Sequence, residues 1–249
     1  MTNQLSFDFA GTSVLVTGGT SGIGHAIASA FASAGASVTV TGTRAKAADY
    51  DTDLSPFDFR QLQVRDRAAV DALAADLDTL DVLVNNAGAN FPDGGDEWDP
   101  DVFSAALDLN VEGAMRLSMR AKPALSRSTM AGGASVVNLV SMTAFRSTTI
   151  VPGYSAAKSA LLALTRNLAV HWAGDRIRVN AVAPGLIATP MTAPMESMPD
   201  ILAEELAKGV MPRFGTPEEI AAVVLFLCCD ASAFTTGSVF AVDGGYLVK

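Results

Sequence analysis

Short apolar runs alternate with amphipathic stretches along the chain. Thr12 to Thr17 is an apolar run suited to a buried strand, and after it Ile23, Ile27, Ala30, Phe31 and Ala34 recur at helical spacing until Gly35. Ser37 to Thr41 reads as a second strand, and Ala45 to Pro56 is acidic and too broken for a good helix. Phe59 to Val64 predicts strand three. Arg67 to Leu77 predicts a helix with Val70, Leu73, Ala74 and Leu77 inward, and Asp81 to Val84 strand four. Phe91 to Pro100 is a loop, and Val102 to Ala124 one long helix. Ala134 to Val140 is a run of β-formers, and Ser155 to Trp172 an alanine-rich helix. Arg176 to Val182 is a strand. Leu186 to Arg213 is rich in methionine and proline, with one short helix at Pro199 to Lys208. Pro217 to Cys229 is a helix with Thr216 as its N-cap, and Ser238 to Val242 the last strand before the turn Asp243-Gly244-Gly245. Strands and helices alternate without repeat or linker, which predicts a single doubly wound α/β domain over residues 1–249.

Chemistry collects at the strand ends. Gly18-Gly19-Thr20-Ser21-Gly22-Ile23-Gly24 stands between a strand and a helix, the context of a dinucleotide phosphate site. The spacing is G-x-x-x-G-x-G, and a glycine-rich turn without a ligand is the plainer alternative. The second strand ends in Gly42, Thr43 and Arg44, with no acid to bind a ribose 2′-hydroxyl. That favours NADP over NAD, unless Arg44 is only a solvated loop residue beside Asp49, Asp51 and Asp53. Asn85-Asn86-Ala87-Gly88 follows strand four, and Asn110 interrupts a helix among Leu107, Leu109 and Val111, which suggests partial burial over a polar surface position.

Ser141 sits at a strand end, and Tyr154 and Lys158 stand four apart at a helix start, on one face. Free tyrosine has a pKa of about 10. An ammonium at ~4 Å contributes about 4 kcal/mol at an effective dielectric near 20, enough to lower that value toward general acid/base use. A helix that merely begins with a tyrosine and carries a surface lysine would read alike on this stretch alone.

Composition narrows the field. The 249 residues carry a formal net charge of −9, which argues against nucleic acid or anionic membrane as partner. Apolar runs such as Ala221 to Cys229 are too short to span a bilayer, and Met1 to Ala10 holds no signal-peptide core, so a cytoplasmic setting is expected. The only cysteines, Cys228 and Cys229, are adjacent and read as buried helix residues in a reducing compartment. With His25 and His171 they form a poor zinc set, so no metal is expected.

Taken in order, Thr17-Gly18-x-x-x-Gly22-Ile23-Gly24, Asn85-Asn86-Ala87-Gly88, Asn110, Ser141, Tyr154-x-x-x-Lys158, Arg178-Val179-Asn180-x-Val182-x-Pro184-Gly185 and Asp243-Gly244-Gly245 resemble the short-chain dehydrogenase/reductase family over the full length. The resemblance implies a parallel Rossmann sheet of about seven strands flanked by helices. It implies Tyr154 as general acid/base, Lys158 assisting it and holding the nicotinamide ribose, Ser141 orienting the substrate oxygen, and Asn110 anchoring a relay water. It places the cofactor against Gly18, Thr20, Ser21, Gly22, Ile23, Gly24, Thr43, Arg44, Gln63, Val64, Asn86, Ala87 and Gly88. Pro184, Gly185, Ile187 and Thr189 would flank the nicotinamide. Two departures stand out: Gln63 replaces a common aspartate before Val64, and Ser21 replaces a basic residue common in NADP-preferring members. The expected function is interconversion of a small secondary alcohol and a ketone with NADP(H). The alternatives are reduction of a 3-oxoacyl thioester on acyl carrier protein and a non-catalytic cofactor-sensing protein. A homotetramer is expected, with the helices of Val102–Ala124 and Ser155–Trp172 paired across a two-fold axis.

Overall fold

The strands are β1 (Ser13–Val16), β2 (Ser37–Gly42), β3 (Asp58–Gln61), β4 (Val82–Asn85), β5 (Ala134–Leu139), β6 (Ile177–Pro184) and β7 (Val239–Val242). They pair in parallel as one sheet in the order β3-β2-β1-β4-β5-β6-β7. The structure is a computed structural model and describes residues 5–91 and 94–249, so Pro92 and Asp93 of the Phe91–Pro100 loop lie outside the described residues. The order reverses between β1 and β4, and a ligand crevice opens at the C-terminal ends of those strands.

Strand periodicity sorts the core into two layers. Val14 and Val16 of β1, Val82 and Val84 of β4, and Val137 and Leu139 of β5 face α1 (Gly22–Ser33) and α7 (Pro217–Cys228). The alternate residues Leu15, Leu83 and Val136 face the opposite way. There they meet α2 (Arg67–Ala75), α4 (Gly113–Leu125) and α5 (Pro152–His171) through Leu73, Leu117, Leu125 and Leu168. Both faces are covered, so the strands are nearly continuous apolar runs, as a buried parallel sheet requires. Thr216 caps α7 with a reciprocal capping box to Glu219, as its place before Pro217 predicts.

Four expectations need correction. Val102 to Ala124 is not one regular helix: α3 (Pro100–Leu107) runs into a π turn at Asp108–Glu112 before α4 begins. Asn110 Nδ2 donates to the Ala106 carbonyl at 3.0 Å inside the helix and to the Ala89 carbonyl at 2.9 Å outside it. A side chain that competes for backbone groups accompanies the extra residue in the ladder. Strand three ends at Gln61, opposite Gly42 of β2, so Gln63 and Val64 belong to the turn after it. Strand six starts at Ile177, because Arg176 takes a left-handed φ of 57°. Cys228 is buried but Cys229 only half-buried, at the C-cap of α7. Among the described residues no helix is long and apolar enough to cross a membrane.

Candidate active site

A crevice of about 530 Å³ runs across the strand ends, from the glycine turn to α5. At its phosphate end, the Thr17 hydroxyl accepts the backbone N–H groups of Asn86 and Ala87, each at 3.0 Å. Asn86 answers by donating its amide to the carbonyls of Thr17 at 2.9 Å and Gly18 at 3.0 Å. The turn after β1 is thus bolted to the turn after β4. Gly18 and Gly22 take left-handed φ values of 64° and 51° that favour glycine. A side chain on Gly24 would run into the Gly18 carbonyl and the Asn86 amide. Ser21 sits at the N-cap of α1 in extended conformation, with no side-chain cap bond. The first-turn N–H groups are therefore left for a ligand, and the bare glycine backbone gives a pyrophosphate room to approach. Thr20, Ser21, Gly22, Ile23 and Gly24 all line this end, which fits a dinucleotide.

At the far side of the same end, Thr43, Gln63 and Val64 line the crevice. Gln61 Nε2 holds the Thr43 carbonyl at 3.1 Å. Arg44 does not line it: its guanidinium stacks over the Tyr50 ring, 5.0 Å from the centroid, and donates to the Asp49 carbonyl. Arg65 does line it, and the sequence reading passed it over. Its position just past Val64 was the available signal, hidden by assigning that stretch to a strand.

The chemical end gathers Ser141, Tyr154 and Lys158, which all face the crevice. β5 delivers Ser141 just past its C-terminal end, where its hydroxyl accepts from Thr143 N at 3.1 Å and Thr143 Oγ1 at 3.0 Å. Pro152, at the first position of α5, starts that helix early and seats Tyr154 and Lys158 on one face. Lys158 is buried and donates to the Leu139 carbonyl at 2.8 Å. Burial pushes its pKa down to about 8. Burial likewise pushes the Tyr154 phenol up to about 12; the Ser141 hydroxyl pulls it down and the Glu97 carboxylate adds to the rise. Desolvation is the largest cause and outweighs the hydrogen bond from Ser141. At neutral pH the pair is a phenol beside an ammonium, poised to give a proton rather than take one.

Asn110 is buried behind this trio, outside the crevice lining. Its Oδ1 accepts from Ala89 N at 3.1 Å. Gly88 fills the gap, since a Cβ there would lie 2.5 Å from Asn110 Oδ1 and 3.2 Å from Lys158 Nζ. Asn86, Ala87 and Gly88 line the middle of the crevice. Pro184, Gly185, Ile187 and Thr189 close it from the β6 side, with Met191 and Phe91 at the mouth. Thr192 Oγ1 donates to the Ile187 carbonyl at 2.6 Å and accepts from Thr189 N at 3.1 Å, which shapes that wall. The methionine-rich segment behind it carries α6 (Pro199–Ala207). Among the described residues no three of His, Cys, Asp and Glu gather as metal ligands.

Known proteins resemble this chain in sequence and fold. A family model described as enoyl-(acyl carrier protein) reductase matches residues 18–247. Galactitol 2-dehydrogenase (L-tagatose-forming) of Cereibacter sphaeroides is 38% identical, with 97% of each chain covered. A tropinone reductase homologue of Arabidopsis thaliana is 35% identical, over 95% of this chain and 91% of its own. The solved Pseudomonas aeruginosa RhlG/NADP active-site complex superposes with a TM-score of 0.88 at 33% identity, covering 98% of this chain and 100% of that one.

Proposed function

The chain belongs to the short-chain dehydrogenase/reductase family of NAD(P)-dependent oxidoreductases, and from that premise we propose that it interconverts a small secondary alcohol and a ketone, with NADP(H) preferred. The observation that carries the reading is that one crevice joins a glycine-turn phosphate site to a hydroxyl, a phenol and a buried ammonium. When bound, the nicotinamide supplies or receives the hydride at the carbonyl carbon. Tyr154 gives its phenolic proton to the carbonyl oxygen in reduction and takes it back in oxidation. Ser141 donates a hydrogen bond to the same oxygen and fixes its direction. Lys158 offsets the charge left on the phenolate and reaches the ribose. Asn110 ties Ala89 to the Ala106 carbonyl of α3, and in this reading it anchors a relay water.

The NADP preference rests on the missing acid at the end of β2, on Thr43, and on two arginines near the adenosine end, Arg44 and Arg65. Reduction of an acyl-carrier thioester is disfavoured: an acidic carrier needs a cationic dock, and the net charge is −9. A non-catalytic role is disfavoured because all four chemical positions are filled. A homotetramer fits α5, where Ala160 and Ala163 leave a small-residue face exposed beside half-buried Ala156 and Leu164. The test is a nicotinamide-absorbance assay over a panel of ketones and alcohols with both cofactors. Tyr154→Phe should lose more than about tenfold in kcat while cofactor still binds. A Tyr154→Phe enzyme with wild-type turnover would sink the reading.

A further inference from the structure

Glu97 is a carboxylate in the interior, a fully buried residue of the Phe91–Pro100 loop bonded to the start of α5. Its two oxygens serve two different backbone N–H groups: Oε1 accepts from Phe91 at 2.8 Å, and Oε2 from Tyr154 at 2.8 Å. Each needs an outside acceptor for its own reason. Tyr154 lies in the first turn of α5, where an N–H has no intrahelical partner. The N-cap residue there is Val151, whose side chain has no oxygen to offer. Glu97, 57 residues away in sequence, acts as the cap and places its charge at the positive end of the helix. Phe91 sits at a φ of +46°, a conformation that a bulky residue holds only when its surroundings enforce it. The bond from its N–H to Glu97 and the one its carbonyl accepts from Gly94 N at 2.9 Å hold it from both sides, and Phe91 stands on the crevice wall. Gly153 leaves room for the carboxylate, since a Cβ there would stand 3.3 Å from Oε2. The neighbouring Trp98 donates its indole N–H to the Thr149 carbonyl at 2.8 Å, so the same loop is also stapled to the segment before α5.

We propose that Glu97 is a positioning residue that locks Phe91, as the specificity-determining wall for an apolar substituent of the ketone, to the helix that carries Tyr154. The proposal rests on the carbonyl-reducing reading above and deepens it. One carboxylate sets the distance between the surface that grips the substrate and the phenol that protonates it. Glu97→Gln retains shape but offers a single good acceptor, so only one of the two N–H groups stays satisfied. Phe91→Gly removes the wall and relaxes its strain.

The experiment compares cyclohexanone with the bulkier 2-decalone in wild type, Glu97→Gln, Phe91→Gly and the double variant. Glu97→Gln should raise KM for 2-decalone about tenfold, the cost of one charge-assisted bond, with cyclohexanone changed much less and NADPH affinity unchanged. In the double variant KM should match Phe91→Gly alone, because the two act through one contact. Equal losses for both ketones, or additive effects, would overturn the proposal in favour of a merely structural carboxylate. Hydrogen exchange is read in parallel: one of the Phe91 and Tyr154 amides, the one left without an acceptor, should exchange at least about tenfold faster in Glu97→Gln. Unchanged exchange also overturns the proposal. If wild type reduces no ketone, the functional reading fails, and exchange alone decides whether Glu97 holds both segments. If Glu97→Gln does not fold, Phe91→Gly decides: a rise in KM for 2-decalone alone supports the wall, and no rise overturns it.

Discussion

The Lys158 ammonium lies 5.4 Å from the centre of the Tyr154 ring and gives its hydrogen bond to the Leu139 carbonyl, at 2.8 Å. The cation is thus held under the phenol by the sheet. That placement costs stability at neutral pH. Lys158 titrates at about 8 when folded against 10.5 for the free side chain. A depressed folded pKa means that the unfolded chain binds more protons between those values. Its contribution to stability is therefore complete above about 10.5 and is lost as pH falls through about 8. Lys158→Met should raise Tm at pH 7 while abolishing turnover. The gain should shrink as pH rises from 8 toward 10, and scanning calorimetry across that range measures it. A variant less stable than wild type at pH 7 would show that the bond to Leu139 outweighs desolvation.

Gly88 separates Asn110 from Lys158, and Gly88→Ala probes that gap. The added methyl meets Asn110 Oδ1 at 2.5 Å, so Asn110 must move, and it crowds Lys158 Nζ at 3.2 Å. Overpacking of this kind costs about 1–3 kcal/mol. We expect a lowered Tm and at least about a tenfold loss in kcat, since Asn110 must move and the buried Lys158 ammonium is crowded against it. Steady-state kinetics with an unchanged kcat would mean that the ammonium tolerates displacement.

The proposed NADP(H) preference can be tested at Arg44 and Arg65. Arg44 must leave the Tyr50 ring to reach a 2′-phosphate, and that stacking offsets part of its contribution. Arg44→Ala and Arg65→Ala should each weaken NADPH binding, Arg44→Ala by about tenfold or less, with NADH nearly untouched in both. Fluorescence titration with each cofactor tests this. Tighter binding of NADH than NADPH by the wild type would refute the argument from the missing acid at the end of β2.

Much of this was legible along the chain because it depends on local spacing. Apolar runs at β1 and β5, helical spacing from Ile23 to Ala34, and Tyr154 four residues before Lys158 are one-dimensional signals. What escaped depends on contacts across the fold. The π turn involves the Ala89 carbonyl reaching Asn110 from another segment. Gln63 and Val64 lie beyond β3 because β2 stops at Gly42 and leaves no neighbour to pair. The rise in the tyrosine pKa escaped because burial, its largest cause, is not revealed by spacing. Glu97 passed as one more acid in a loop, since both its partners are brought to it by folding.

The tie between Asn86 and the glycine turn bears on how such chains diverge. Gly24 is confined by the Gly18 carbonyl and the Asn86 amide, two parts of the protein itself. Nothing in that confinement depends on a bound nucleotide. A descendant that abandoned catalysis would be released from keeping Ser141 or Tyr154, yet mutation at Gly24 would still be purged for misfolding. Its glycine signature would outlive its activity. In a lineage of such descendants, the fingerprint would record ancestry, and the phenol and ammonium would record whether the enzyme still works.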